Sequence, residues 1–257
     1  MPAPVTLTGR TVRLEPLSEQ HAEALAEAGS KDRTTYAFTA VPQDLDAARE
    51  FIATARADQA AGRSLAFATV RASDGVVVGS TRFLELDYWQ GPVVWPPLPA
   101  GPVGDPATAV PDAAEIGRTW LSPLAQGTGI NTEAKLLMLR HAFEAWGVQR
   151  ISLRADARNL RSRAAIERLG ATSEGVRRAH SRGLDGVVRS TAFYSILADE
   201  WPAVRDIIEL RIAAAIAPSA PERRIDRGLG RELDQECVRH AGSLVPGALS
   251  TASLITV

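Results

Sequence analysis

The sequence predicts a mixed α/β (α+β) fold: one central, mostly antiparallel twisted sheet with helices on both faces. Three observations carry this. Residues 115–146 read as a strand, a glycine-containing loop and a helix, in that order. Short alternating segments bounded by turn signals lie on either side, as in an antiparallel sheet. Between them run stretches with apolar residues three and four apart, the period of a helix that buries one face.

In chain order, residues 11–15 alternate as a first strand, and Ser18 is a suitable N-cap for a helix reaching about Ala28. Residues 44–61 make a better helix, with Leu45, Ala48, Phe51, Ile52 and Ala55 in one stripe and Gly62 ending it. Residues 65–71 and 76–86 read as strands joined at Asp74-Gly75, the second bulged at Gly79. Residues 88–112 break the pattern with Pro92, Pro96, Pro97, Pro99, Pro102, Pro106 and Pro111. Trp89 and Trp95 in this insertion suit a lid over an acceptor site; a tolerated surface insertion is the other reading.

The strand at 115–121 stops at Ser122-Pro123, because proline lacks the donor a ladder needs. From Thr132 the spacing of Leu136, Leu139 or Arg140, Phe143 and Trp146 is helical. Between them, Gln126-Gly127-Thr128-Gly129-Ile130-Asn131 allows a sharp bend into the first turn, where N–H groups lack intrahelical partners. Such donors at the positive end of a helix dipole bind anions, phosphate above all. No Gly-Lys-Ser/Thr follows, so this is not a P-loop, and the third glycine of a dinucleotide fingerprint is missing.

Residues 151–155 form a short strand, and Asn159 caps a helix that ends at Leu169-Gly170. Residues 173–180 and 187–197 are strands joined at Asp185-Gly186, and Asp199-Glu200-Trp201-Pro202 opens a helix to about Ala215. Pro218-Ser219-Ala220-Pro221 reads as a linker. The rest, to Val257, shows no sustained period beyond a weak helix around Leu229, Leu233 and Cys237, and is expected to be poorly ordered.

The 257 residues suit one large domain, or one with an appendage. A net charge of −1 gives no electrostatic case for nucleic acid or anionic lipid. A single cysteine, Cys237, excludes an intramolecular disulfide and a cysteine metal cluster. No signal peptide and no apolar run of membrane length is visible, which points to the cytoplasm. Lys31 and Lys135 are the only lysines among many arginines, which reads as coding bias.

Gln126 to Ala134 resembles the acyl-CoA diphosphate loop of the GNAT acetyltransferases, Gln/Arg-x-x-Gly-x-Gly/Ala, with Asn131 at the last small position. Asn tolerates left-handed backbone and caps helices, so the loop is expected to persist. The Ala-Glu-Ile-Gly strand before it and Thr-Glu-Ala after it are similar to the branch acting on ribosomal-protein N-termini. Asn159-Leu160-Arg161-Ser162 and Glu167-Arg168-Leu169-Gly170-Ala171 match a second motif of the family. The resemblance spans residues 7–201, leaving 202–217 as a C-terminal helix and 218–257 as a tail.

It implies direct transfer of an acetyl group from acetyl-CoA to a primary amine, a protein N-terminus or a small molecule, without a metal, by a monomer or homodimer. Cofactor binding falls to Gln126, Gly127, Thr128, Gly129, Ile130 and Asn131, to the main chain of Thr119, Trp120 and Leu121, and to Asn159 and Ser162. A backbone N–H near Leu121 is expected to polarise the thioester carbonyl. Glu115 is the candidate base; otherwise it is an exposed strand-end acid or an arginine's partner. The family's usual tyrosine acid is replaced by Ile166, so Ser162 is the substitute acid and Tyr194 the runner-up, although a tyrosine in an apolar strand also suits the core. His180 is a weaker candidate for the acceptor side; His21, His141 and His240 lack a functional context. The rival reading is a non-catalytic acyl-CoA-binding module with a sensing or scaffold role.

Truncation after Ala217 is expected to leave folding and acetyl-CoA binding unchanged. Soluble yield and a ligand-induced thermal shift of the shortened chain check this; loss of soluble protein would refute it.

Overall fold

The computed structural model describes residues 2–89 and 110–216. The centre of the proline-rich insertion with Trp95, and the linker and tail with Cys237 and His240, lie outside the described residues.

A short strand missed in the sequence, β1 (Leu7–Thr8), turns into β2 (Val12–Pro16). Ser18 caps a single 3-10 turn, Glu19–His21, that continues as α1 (Ala22–Ser30). Asp44 caps α2 (Leu45–Ala60), accepting from the Ala47 amide at 2.8 Å. Then come β3 (Ser64–Arg71), β4 (Val77–Asp87) and β5 (Ala113–Leu121). Helix α3 (Ile130–Arg140) runs on as a π-helical segment, His141–Trp146. The chain ends with β6 (Arg150–Asp156), α4 (Leu160–Arg168), β7 (Thr172–Arg182), β8 (Val188–Leu197) and α5 (Trp201–Ile216).

The strands form one sheet in the order β1-β2-β3-β4-β5-β6-β8-β7. Every pairing is antiparallel except β5 with β6. Alternation assigns the two faces. Leu65 and Phe67 join the core under α3 and α5, while Ala66, Ala68 and Val70 join the core under α1 and α2. A strand buried on both sides reads as a continuous apolar run, as β3 does.

The expected bulge near Gly79 is present, where the register of β3 on β4 slips between Thr69 and Val70. Gly79 is required there because an added Cβ would lie 2.1 Å from the Trp120 carbonyl. Three further register slips put non-glycine residues in left-handed backbone: Glu85 (φ 46°), Arg118 (φ 50°) and Ala179 (φ 47°). Such strain collects where a sheet must re-aim side chains.

Glu133 fixes the first hairpin to α3. Its buried carboxylate accepts the Arg10 and Thr11 amides, each at 2.7 Å, and the Thr11 hydroxyl. The neck of the insertion is closed by Asp112, whose carboxylate accepts the Trp89 amide at 2.7 Å and whose own amide donates to the Asp87 carbonyl at 2.8 Å.

Candidate functional site

The parallel contact of β5 with β6 lasts only for Ala113–Arg150, Ala114–Ile151 and Glu115–Ser152. Beyond Glu115 the strands separate, and among the described residues the second half of β5 has β4 as its only strand neighbour. Ser122 donates its N–H to the Val78 carbonyl at 2.7 Å, so alternation turns the N–H and C=O of Leu121 away from β4, into the gap. The Leu121 carbonyl accepts the Tyr36 hydroxyl at 3.0 Å and the Gln126 side-chain amide at 2.8 Å. The Trp120 indole packs edge-on to Tyr36 under α1 and α2, and by the same alternation its main chain faces β4, opposite Ser80.

At the open end of the gap lies the loop. Gly127 (φ 77°) and Gly129 (φ 86°) are both left-handed, and Gly129 is the N-cap of α3. No backbone N–H from Gly127 to Thr132 has a protein acceptor among the described residues. Six successive donors at a helix start fit a diphosphate. The expected capping role of Asn131 is corrected: it lies inside the first turn, with its side-chain oxygen buried and unpartnered.

The second motif meets the first at Gln126, which accepts from Arg161 and donates to Thr35 at 3.1 Å. Asn159 caps α4, its side-chain oxygen accepting the Ser162 amide at 3.0 Å. Ser162 is half-buried in that first turn, and Ile166 is buried one turn on.

Glu115 is 4% exposed on the face opposite α3. Arg154 Nε lies 2.9 Å from one of its oxygens, and Arg154 also reaches Glu85 at 2.7 Å. Burial raises the Glu115 pKa to about 7; Arg154 opposes the shift and Glu85 adds to it. Gly117 leaves room for this carboxylate, since an added Cβ would sit 2.8 Å from it. A cleft of about 350 Å³ opens here, lined by Glu85, Asp87, Trp89, Glu115, Arg150 and Ser152.

The structure does not bring Tyr194 to this cleft. It is fully buried on the opposite face, its hydroxyl donating to Glu167 at 2.9 Å and accepting from Arg163 at 3.0 Å. His21 is buried against Glu15, and His141 packs 4.7 Å from the Trp146 ring centroid.

Two residues escaped sequence reading. Arg154 was one polar position of an alternating strand, and nothing local marks its partner 39 residues away. Lys135 is buried, its ammonium nitrogen donating to Thr119 Oγ1 at 2.6 Å and Thr81 Oγ1 at 2.9 Å, without a carboxylate partner among the described residues. Burial lowers its pKa to about 7. Its spacing of three and four from Met138 and Leu139 was the available signal.

A model of the acetyltransferase (GNAT) domain matches residues 11–172. A Bacillus subtilis (strain 168) protein named as a ribosomal N-acetyltransferase, YdaF, is 35% identical over 88 residues, covering 34% of this chain and 47% of that one. The chain thus spans about half the length of this curated relative. Among solved structures, a GCN5-related N-acetyltransferase from Brucella melitensis superposes with a TM-score of 0.68 at 26% identity, covering 82% of this chain and 86% of that chain. Mycobacterium smegmatis RimJ, in complex with CoA-disulfide, shares the fold at a TM-score of 0.64 and 22% identity, covering 81% and 95%.

Lys135 makes a testable contribution to stability. Between pH 7 and 10.5 the unfolded chain holds a proton that the folded amine lacks, so stability rises with pH there, by at most about 1.4 kcal/mol per pH unit. Lys135→Met is expected to flatten this rise and to stabilise the protein most at pH 7; denaturant titrations at pH 7 and 9 check it.

Proposed function

The chain belongs to the GNAT acetyltransferase family, and from that premise we propose that it transfers an acetyl group from acetyl-CoA to a primary amine by direct attack. The acceptor is an N-terminal α-amine of a protein or a small-molecule amine, and the reaction belongs in the cytoplasm. The observation that carries the reading is the run of unpaired amides from Gly127 to Thr132 beside a β5 edge left bare by β6.

Acetyl-CoA supplies an activated thioester and a diphosphate. The loop amides hold the diphosphate, and α4, anchored by Arg161 on Gln126, closes one side. The main chain from Thr119 to Leu121 borders the gap beside an extended pantetheine arm; the Leu121 carbonyl is held by Tyr36 and Gln126, and its outward N–H is placed to donate to the thioester oxygen. Glu115 accepts the amine's proton; a carboxylate with a pKa of about 7 is half ionised at neutral pH, the optimum for a base. Six residue steps along the strand, roughly 20 Å, separate Glu115 from Leu121, so the proton reaches Glu115 through water. Ser162 is assigned the leaving thiolate, and Tyr194 a structural role.

One observation favours a second reading, a non-catalytic acyl-CoA-binding module: Ile166 and Tyr194 both face the core, leaving no strong acid at the gap among the described residues. Turnover separates the two readings.

Acetyl-CoA at ~100 times its dissociation constant is expected to stabilise the protein by about 2.7 kcal/mol, a shift of a few degrees. Gly129→Glu, which places a carboxylate among the loop amides, is expected to abolish the shift while the fold, followed by circular dichroism, persists. An unchanged shift in this variant would remove the diphosphate from the loop. For catalysis, kcat/KM of the parent rises as pH increases through about 7. Glu115→Gln is expected to lose that limb and about a hundredfold or more in rate. A retained limb would mean that another group is the base.

A further inference from the structure

The two halves of the sheet face opposite to α3 differ. Over β3 and β4 it is covered by α2 and α1. Over β6, β8 and β7 the same face carries polar side chains and has no helical cover among the described residues. Register defines it: Arg154 opposes Phe193, Asp156 opposes Thr191, and Arg177 opposes Thr191 from the other side. Residues directly opposed share a face.

The left-handed bulge at Ala179 turns His180 onto this surface. Its ring lies 5.4 Å from the Phe193 centroid and its Nδ1 is 3.0 Å from the Thr191 hydroxyl. Arg189, two residues before Thr191, donates to the Ser181 hydroxyl at 2.9 Å. Neither Arg177 nor Arg189 has a carboxylate within 4.0 Å among the described residues. In contrast, Arg150 is paired with Glu174, Arg154 with Glu115 and Glu85, and Arg158 with Asp156 and Asp185. The positive field here also depresses the His180 pKa; burial is the largest cause, followed by Arg177, Arg154 and Arg189, with Glu85 opposing.

Charge therefore changes sign across the open face. Carboxylates of Glu85, Asp87 and Glu115 line the cleft, while free guanidinium groups stand at the β7–β8 end. Arg177 is level with Asp156, four residues beyond the Ser152 that Glu115 faces and so beside the end of β5; from there to β7 the sheet spans three strand spacings, at least roughly 14 Å, which an extended peptide covers in four residues or more. A small amine held at the thioester, beside the end of β5, does not reach that far.

We propose that this surface binds the acceptor as a peptide, with an acidic side chain three to five residues beyond the acceptor amine, which lies beside the end of β5, contacting Arg177 and Arg189. The proposal rests on the amine-acylation reading above. Rim charges that meet their complement in this way set partner choice more than raw affinity.

The test is binding of dye-labelled peptides to the full chain saturated with CoA, followed by fluorescence anisotropy. Two arms differ only in Glu or Gln at the third to fifth positions. The parent is expected to favour the acidic peptide roughly five- to tenfold, the scale of one or two partly exposed charge pairs, and to lose that preference at high salt. Arg177→Gln/Arg189→Gln is expected to bring the two peptides within about twofold, and Arg177→Glu/Arg189→Glu to invert the preference toward a lysine-bearing peptide. An unchanged acetyl-CoA thermal shift shows that these exposed-face variants remain folded, and keeps this outcome separate from failure of the CoA-site reading. Equal binding of acidic and neutral peptides, or no peptide binding, overturns the proposal. Stronger binding of a single-stranded RNA oligonucleotide overturns it in favour of a general polyanion surface.

Discussion

The separation of β5 from β6 is the constraint on which the site depends. Main-chain donors and acceptors in a sheet are normally used up by neighbours, and a central strand offers none to a ligand. Here parallel pairing stops after Glu115, and the end of β5 keeps β4 on one side only. The bulge at Arg118 lies within this stretch and shifts the register by one residue. The Gly127–Gly129 turn then starts α3 at the mouth of the opening, so strand-edge donors and helix-start donors converge on one gap. Gln126 ties that gap to both Leu121 and Arg161, linking two sequence motifs through one side chain.

Burial tunes the ionisable groups around the gap in opposite ways. Glu115 has an arginine at 2.9 Å and still titrates near 7, because desolvation outweighs an ion pair that Arg154 shares with Glu85. Lys135, on the other face of β5, has only hydroxyl acceptors, so its neutral form is favoured down to about the same pH. One strand thus separates an acid that is hard to ionise from a base that is hard to protonate. Only the acid opens onto a cleft. Lys135 is buried against Thr81 and Thr119, which makes it a packing element under the strand.

Most of the fold was legible. The helix stripes of α2 and α3, the Ser18 and Asn159 caps, the hairpin at Asp74-Gly75 and the bulge near Gly79 are local signals, and the described residues carry each of them. Boundaries moved where local rules compete: α3 begins at Ile130 because the left-handed Gly129, not Asn131, is its N-cap, and β1 was too short to show a period. The loop glycines and Glu115 were visible because the residue type itself limits the chemistry. Tyr194 shows the opposite case. Its place in an alternating strand was plain, but which face that strand buries was not, and its hydroxyl is spent on Glu167 and Arg163.

The sequence alone determined the strand–loop–helix unit, its two glycines and the presence of a carboxylate near the start of the strand, since backbone conformation and apolar period are set within a few residues. Tertiary structure alone decided that β5 and β6 part after Glu115, that Arg154 and Glu85 share one carboxylate's environment, and that, among the described residues, Lys135 has only hydroxyl acceptors and Arg177 and Arg189 have no carboxylate partner. Each of these depends on strand order and register, which are fixed by how whole faces pack, and no short stretch of sequence records which distant residue will stand opposite.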